Sequence, residues 1–266
     1  MPDRFFDIEK IKKSLRYFKN AQPFDHCVVD GFLREEFTSA LEREFLNYDD
    51  PRWFYYKNDI ENKKALNDWN VFPSLTYKVF SQLISDSFIS ILSEQLDIRL
   101  YPDPGLHGGG WHIHDSGGNL NPHFDYSIHP KIGLQRKINI IIYLSSELKD
   151  EHGGHLGLWE HNPENCSPGS LITMVQPKFN RAVIFDTTQN SWHGMCKPLI
   201  QPKGIYRKSL AVYYLTDPAI GADLRERALF AARENQIGDK SIEELIRKRA
   251  DPNFCTSVYR DEKNGL

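Results

Sequence analysis

The chain has 266 residues and a mass of 30.9 kDa, with 40% hydrophobic and 26% charged residues and a formal net charge of −3. This composition predicts one globular domain with a substantial core and excludes disordered and fibrous proteins. Lysine and arginine form no long cluster, so neither nucleic acid nor membrane is an expected partner, and a small-molecule or peptide substrate is favoured. The sequence does not indicate the oligomeric state.

The spacing of the cysteines and the length of the apolar runs indicate in which cellular compartment the protein is expected. The four cysteines are widely spaced and form no CxxC pair, so we expect reduced thiols rather than a disulfide framework or a zinc knuckle. The first ten residues lack the pattern of a signal peptide, and the longest apolar run, Ile138–Leu144, is too short to span a bilayer. A cytoplasmic location is therefore the expectation.

Residues 1–97 are predicted to be mostly helical and to support the rest of the chain. Apolar residues recur at helical spacing from Phe5 to Phe18 and again from Leu33 to Phe45. A third apolar stripe, which follows Pro73, predicts one helix over Ser74–Leu96.

Residues 98–216 change to short apolar runs separated by Gly, Pro, Asn and Asp, without intervening helical periods. This texture predicts an all-β core, a sandwich or jelly roll, because parallel sheets need crossover helices. In residues 217–266, helical character returns over 222–235 and over 241–250, the latter with a Ser241/Glu244 capping box. The prediction is a single domain over 1–266, mainly β with flanking helices at both ends.

His123 and Asp125 are the first candidate metal ligands. On a strand, a spacing of two places both side chains on one face, with Phe124 on the other. An HxD triplet is common by chance, and a polar strand end is an equally good interpretation of it alone. His193, in WHG after the apolar run AVIFD, could return to face His123. Two imidazoles and one carboxylate form the facial triad of oxygen-activating non-haem iron sites.

Arg207 and Ser209 share one face of the next strand. A guanidinium binds carboxylates in a bidentate fashion, so Arg207 is a candidate anchor for a dicarboxylic co-substrate, although an exposed strand arginine is the alternative. Tyr143 could donate its hydroxyl to the same carboxylate, or it could be a buried tyrosine bonded to backbone.

Taken in order, the segments HFD, IIIYL, GGHLGLW, PKFNRAVIF, WHG and RKSLAVYYL resemble the 2-oxoglutarate and iron(II)-dependent oxygenases, within them the prolyl-hydroxylase-like branch. The resemblance covers residues 111–216 and extends to PFDHCVVDGFLREEF, which is similar to the lead-in strand and helix of that branch.

The resemblance implies a double-stranded β-helix in which His123, Asp125 and His193 bind Fe(II). It also implies 2-oxoglutarate as co-substrate and O2 as oxidant, with Arg207 binding the distal carboxylate and Ser209 and Tyr143 assisting. The expected reaction is hydroxylation of an unactivated C–H bond, in a prolyl residue or a small molecule, with succinate and CO2 as co-products. Collagen-type prolyl 4-hydroxylases commonly have lysine where this chain has Arg207, which argues against a collagen-like substrate.

Two alternatives belong to other classes. The first is a non-catalytic jelly-roll binding protein. The second is a cupin-type metal enzyme with His112 and His114 as first ligands, although residues 116–119 lack the glutamate that such a site requires. We favour a role for these two histidines in lining the mouth of the substrate pocket, with a strand cap as the alternative, and Trp159 is a further candidate for contact with the substrate.

Overall fold

Two antiparallel sheets form the core of the computed structural model, which describes residues 4–259. The strands are β1 His26–Asp30, β2 Phe54–Lys57, β3 Glu61–Leu66, β4 Tyr101–Pro102, β5 Gly110–His114, β6 Asn119–Leu120, β7 His123–Phe124, β8 Gln135–Tyr143, β9 Leu156–Asn162, β10 Ser167–Val175, β11 Arg181–Asp186, β12 Trp192–Met195, β13 Arg207–Thr216 and β14 Leu229–Phe230. The α-helices are α1 Ile8–Leu15, α2 Glu35–Glu44, α3 Ser74–Leu83, α4 Asp86–Leu96 and α5 Lys240–Ala250, and two short 3-10 helices cover Asp150–His152 and Glu234–Gln236.

The larger sheet has the order β1-β11-β8-β13-β5-β3-β2, with β4 beside β13 and β6 beside β3, and the smaller sheet has the order β10-β9-β12-β7-β14. An apolar cluster that includes Leu156, Leu158, Val183 and Phe185 joins β9 of the smaller sheet to β11 of the larger one. The prediction of a mainly β jelly roll with flanking helices is confirmed. None of the described helices is both long and apolar enough to cross a membrane.

Helices α1 to α4 contribute to the largest apolar cluster, which also contains Ile138, Ile140, Ile142 and Leu210 of the larger sheet. The prediction of a single helix over Ser74–Leu96 is wrong, because α3 ends at Leu83 and a separate helix, α4, begins at Asp86. Ser85 is extended and its hydroxyl caps the Phe88 amide at 3.4 Å, so a new helix begins there.

The prediction of a mostly helical N-terminal region is also wrong in part, since β1, β2 and β3 lie within residues 1–97. Strand β1 pairs with β11 and β3 pairs with β5, so this region completes the larger sheet. The lead-in segment does form the strand and helix that the resemblance implies, as β1 and α2.

Residues 222–235 do not form the predicted helix. Phe230 pairs with His123 across β14 and β7, which adds this segment to the smaller sheet. Arg233 then donates to the Asn121 side chain at 2.9 Å and to the Met195 carbonyl at 2.7 Å. These tertiary contacts outweigh the helical propensity of ADLRERALFAAREN. Helix α5 does form, but Asp239 caps it rather than the predicted Ser241/Glu244 box.

Candidate active site

The smaller sheet brings the three candidate ligands together. His193 on β12 lies directly opposite His123 on β7, and Asp125 follows β7 on the same face. Phe124, between His123 and Asp125, and Trp192, before His193, face the other way, and their rings stack with centroids 3.9 Å apart. The two-residue period therefore places two imidazoles and one carboxylate on one side of the strands.

One ligand atom from each of His123, Asp125 and His193 lies within 4.8 Å of the others, and all three residues are buried. The Nε2 of His123 is 3.9 Å from Asp125 Oδ1, and the Nε2 of His193 is 3.7 Å from Asp125 Oδ2. These three form the sole His/Cys/Asp/Glu group able to hold a metal ion within residues 4–259.

Backbone carbonyls fix the orientation of both imidazoles. His123 Nδ1 donates to the Asn121 carbonyl at 3.0 Å, and His193 Nδ1 donates to the Ser191 carbonyl at 2.8 Å. Each carbonyl can only accept, so each Nδ1 carries the proton and each Nε2 keeps a free lone pair. Burial lowers the pKa of both histidines, reinforced for His123 by His193 and opposed by Asp125 in both cases. Both rings are therefore neutral and suited to bind a metal.

The two oxygens of Asp125 have different surroundings. The Tyr213 hydroxyl donates to Oδ1 at 3.3 Å and Arg136 Nη1 lies 3.4 Å from it, whereas Oδ2 is buried and has no hydrogen-bond partner among the described residues. Burial raises the pKa of Asp125, but the charge of Arg136 and the hydrogen bond from Tyr213 lower it, and the pKa lies below its usual value. The group is thus an anion with one oxygen free.

The residues fit iron(II). A buried carboxylate oxygen without a partner is costly unless a cation binds it, and two neutral imidazoles face that oxygen. Two nitrogen ligands and one oxygen ligand on one face of an octahedral ion leave the opposite positions open, as oxygen-activating iron sites require.

His123, Asp125 and His193 line a cavity with a volume of about 470 Å³. Arg207 lines the same cavity. Its side chain is only 5% exposed, which excludes the exposed strand arginine, and its Nε donates to the Gly154 carbonyl at 2.9 Å. Ser209 also lines the cavity, two residues along β13.

Tyr143 lies behind Arg207, whose Cζ is 4.8 Å from the centroid of the tyrosine ring, and it is not part of the cavity lining. Its buried hydroxyl has no hydrogen bond to backbone in the described chain, contrary to the alternative considered for it. Burial lowers the pKa of Arg207 while Tyr143 raises it, so the tyrosine favours the charged guanidinium.

The predicted pocket-lining residues divide into two groups. His112 and His114 line the cavity, opposite Ser209 and Arg207 in the register of β5 and β13, and take no part in the metal-ligand group. Trp159 does not line the cavity, since it lies opposite Trp192 in the smaller sheet.

Sequence reasoning missed Tyr213 and Arg136, which hold Asp125. Tyr213 follows Arg207, Ser209 and Ala211 at a spacing of two, so extending that period along β13 would have identified it. No comparable spacing in the sequence identifies Arg136 as a residue of the site. Leu215 pairs with Arg136 while Tyr214 pairs with Ile138, so Lys137 is the extra residue of a β-bulge that turns Arg136 toward the cavity.

Residues 109–215 match the family model described as the 2OG-Fe(II) oxygenase superfamily. A curated relative, prolyl 3-hydroxylase OGFOD1 of Mus musculus, is 25% identical over 185 residues, which is 66% of this chain and 30% of the relative. The resemblance to this superfamily is therefore confirmed over residues 109–215. The description of this family names 2-oxoglutarate and iron(II), in agreement with the cofactors predicted from the sequence.

Two solved prolyl hydroxylases have a fold similar to that of this chain. One from Trichoplax adhaerens, in complex with a hypoxia inducible factor peptide, has a TM-score of 0.55 at 18% identity and covers 78% of this chain and 90% of its own. The prolyl-4-hydroxylase of Pseudomonas putida has a TM-score of 0.55 at 13% identity, and the match covers 79% of this chain and 100% of the Pseudomonas chain. The chain spans less than a third of the length of the mouse relative.

Proposed function

We propose that this protein is an oxygenase that hydroxylates an unactivated C–H bond with iron(II), 2-oxoglutarate and dioxygen. His123, Asp125 and His193 would hold the iron, and Arg207 would bind the distal carboxylate of 2-oxoglutarate. The observation that carries this proposal is the placement of a buried, ligand-facing triad and a buried arginine in one cavity. When bound, iron and 2-oxoglutarate supply the oxidising chemistry, which converts 2-oxoglutarate and O2 into succinate, CO2 and a hydroxyl group on the substrate.

The protein itself contributes orientation and charge. The Asn121 and Ser191 carbonyls hold the two imidazole Nε2 atoms toward the metal position. Tyr213 and Arg136 occupy Asp125 Oδ1 and so leave Oδ2 as the free ligand atom. Preorganised ligands of this kind lower the cost of ordering the site when the metal binds.

Arg207 is suited to the co-substrate because its Nε is already engaged by Gly154. The two terminal amino groups are left to bind a carboxylate as a fork, the geometry that distinguishes arginine from lysine. Ser209 would add one neutral hydrogen bond, and Tyr143 would support the guanidinium from behind.

The substrate would be a prolyl residue or a small molecule. The prolyl alternative is supported by the mouse prolyl 3-hydroxylase and by the Trichoplax enzyme, which was solved with a peptide. The small-molecule alternative is supported by the walls of the cavity, to which Cys255, Thr256 and Tyr259 of the C-terminal segment contribute.

The test is an anaerobic titration of the purified protein with iron(II) and then 2-oxoglutarate. We expect the weak visible charge-transfer band of a bidentate 2-oxoacid on iron(II). It should be absent in His123→Ala and present in a control, His161→Ala, whose imidazole lies on the far side of Trp192. A native protein that binds iron but gives no band would contradict the proposal.

A further inference from the structure

The cavity has an excess of positive charge. Of the described residues that line it, five are cationic and three are anionic: Lys63, Arg136, Arg207, Arg227 and Arg249 against Glu61, Asp125 and Glu226. Iron(II) and the 2-oxoglutarate dianion would cancel each other, so loading the site leaves this excess in place. A low-dielectric cavity with surplus positive charge favours an anionic ligand.

Four of the five cations already have polar partners. Arg136 lies beside Asp125, Arg207 is assigned to the co-substrate, and Arg227 donates to Cys255 Sγ at 3.1 Å. Arg249 forms an ion pair with Glu61 at 2.7 Å. The remaining cation is Lys63, which pairs with Tyr56 through its backbone but whose ammonium forms no hydrogen bond or ion pair with any residue of the described chain.

Lys63 lies on β3, on the side of the sheet that faces the cavity. Ala65, two residues along, pairs with His112 on β5, and both line the cavity with Lys63. The ammonium lies 5.2 Å from the centroid of the Tyr56 ring, and the nearby Glu61 accepts hydrogen bonds from Arg249 and from the Tyr259 hydroxyl. Oxygen Oε1 of the Glu61 carboxylate is therefore engaged by residues other than Lys63.

His114 gives a second, independent indication of a ligand. It lines the cavity on β5, is 2% exposed, and neither ring nitrogen has a hydrogen-bond partner among the described residues. Burial holds the pKa of His114 well below its usual value, with Arg207 acting in the same direction, so the ring is neutral. A neutral imidazole can donate one hydrogen bond to a bound anion without adding charge.

We propose that Lys63 binds a carboxylate of the primary substrate, and that this oxygenase acts on a small carboxylate-bearing compound. The inference rests on the proposed function and specifies its substrate class. Lys63 would be a specificity-determining residue, with His114 as an additional donor between it and the co-substrate site.

The experiment measures binding of a panel of small acids, each paired with its primary amide, to protein loaded with manganese(II) and 2-oxoglutarate. Members of a pair differ only in the charge of one group. For the acids that bind the native protein, we expect affinities about tenfold or more above those of the amides. Lys63→Met should remove this preference and Lys63→Arg should retain it. The control is Lys149→Met, which removes a surface charge whose carboxylate neighbour, Glu151, is 4.0 Å away.

Affinity for 2-oxoglutarate is measured on the same proteins. If the native protein does not bind 2-oxoglutarate, the proposed function itself fails. If 2-oxoglutarate binds equally well to native protein and Lys63→Met but no acid is preferred over its amide, including the case in which no acid binds, only the substrate inference is overturned. A large loss of 2-oxoglutarate affinity in Lys63→Met also overturns it, because Lys63 would then serve the co-substrate.

Discussion

Replacing Arg207 with alanine should separate co-substrate binding from metal binding. Arg207 is buried, and its contact with Gly154 leaves two amino groups for a carboxylate. Removing it leaves a buried carboxylate unpaired, so the affinity for 2-oxoglutarate should fall by about 2–5 kcal/mol, roughly thirty-fold or more. Iron stoichiometry should not change, since none of the three candidate ligands contacts Arg207 in the structure.

Two milder substitutions test whether 2-oxoglutarate binding depends on the forked geometry of the Arg207 guanidinium. Arg207→Lys restores a charge without the fork and should give an intermediate affinity. Ser209→Ala removes one neutral hydrogen bond and should cost about 0.5–1.5 kcal/mol. The assay is anaerobic titration with 2-oxoglutarate of protein already loaded with iron(II). Equal affinities in native protein and Arg207→Ala would refute the assignment of Arg207.

Alanine variants of Gly153 and Gly154 test whether the position of the Arg207 side chain controls the affinity for 2-oxoglutarate. A Cβ at Gly154 would lie 2.7 Å from Leu199 Cδ2 and 2.9 Å from Arg207 Cδ, whereas a Cβ at Gly153 would meet only the Pro198 carbonyl, at 3.6 Å. Both residues have positive φ, 75° and 79°, so each alanine variant carries a backbone cost of about 1–3 kcal/mol. Weaker 2-oxoglutarate binding is expected in Gly154→Ala alone. The same loss in both would show that backbone strain, and not the position of Arg207, controls affinity.

Three further predictions concern metal, ligand and pH. Manganese(II) with 2-oxoglutarate at 100 times its dissociation constant should stabilise the native state by about 2.7 kcal/mol, and an unchanged melting temperature would contradict a site that binds both. Asp125→Ala should lose metal by elemental analysis while a double His112→Ala/His114→Ala variant keeps it, and the cupin-type alternative forecasts the reverse. Burial lowers the pKa of His112 to about 3 and that of His114 well below its usual value, so the unfolded state binds more protons than the native state below about pH 6.5. Stability of the metal-free protein should therefore fall as the pH decreases from 7 to 5, by up to about 1.4 kcal/mol per pH unit for each histidine. Chemical unfolding of a double His112→Gln/His114→Gln variant should show a shallower dependence, and an identical slope would contradict this cause.

The candidate ligands could be predicted because their signal is local. His123 and Asp125 share a face through a spacing of two, and the strand before His193 supplies the opposing position. The same period identified Arg207 and Ser209. A strand's alternation is set by backbone geometry alone, so it survives any arrangement of the neighbouring strands.

The rest of the site depends on contacts between distant parts of the chain. Arg136 faces the cavity only because a bulge at Lys137 shifts the register, and a bulge leaves no mark in the hydrophobic pattern. Glu61 meets residues 188 and 198 positions away, Arg249 and Tyr259. Residues 222–235 have a helical composition, yet their pairing with β7 overrides it.

The candidate residues for catalysis and the candidate residues for substrate contact lie on separate elements of the fold. The candidate metal and co-substrate residues lie on β12 and β13 and on or directly after β7, whereas other walls of the cavity come from β3, α5 and the segment that follows it. A substitution such as Lys63→Met alters a wall without touching the strands that hold His123 or Arg207. The chemistry of the site and the choice of substrate can therefore change independently, because separate elements of the fold supply them.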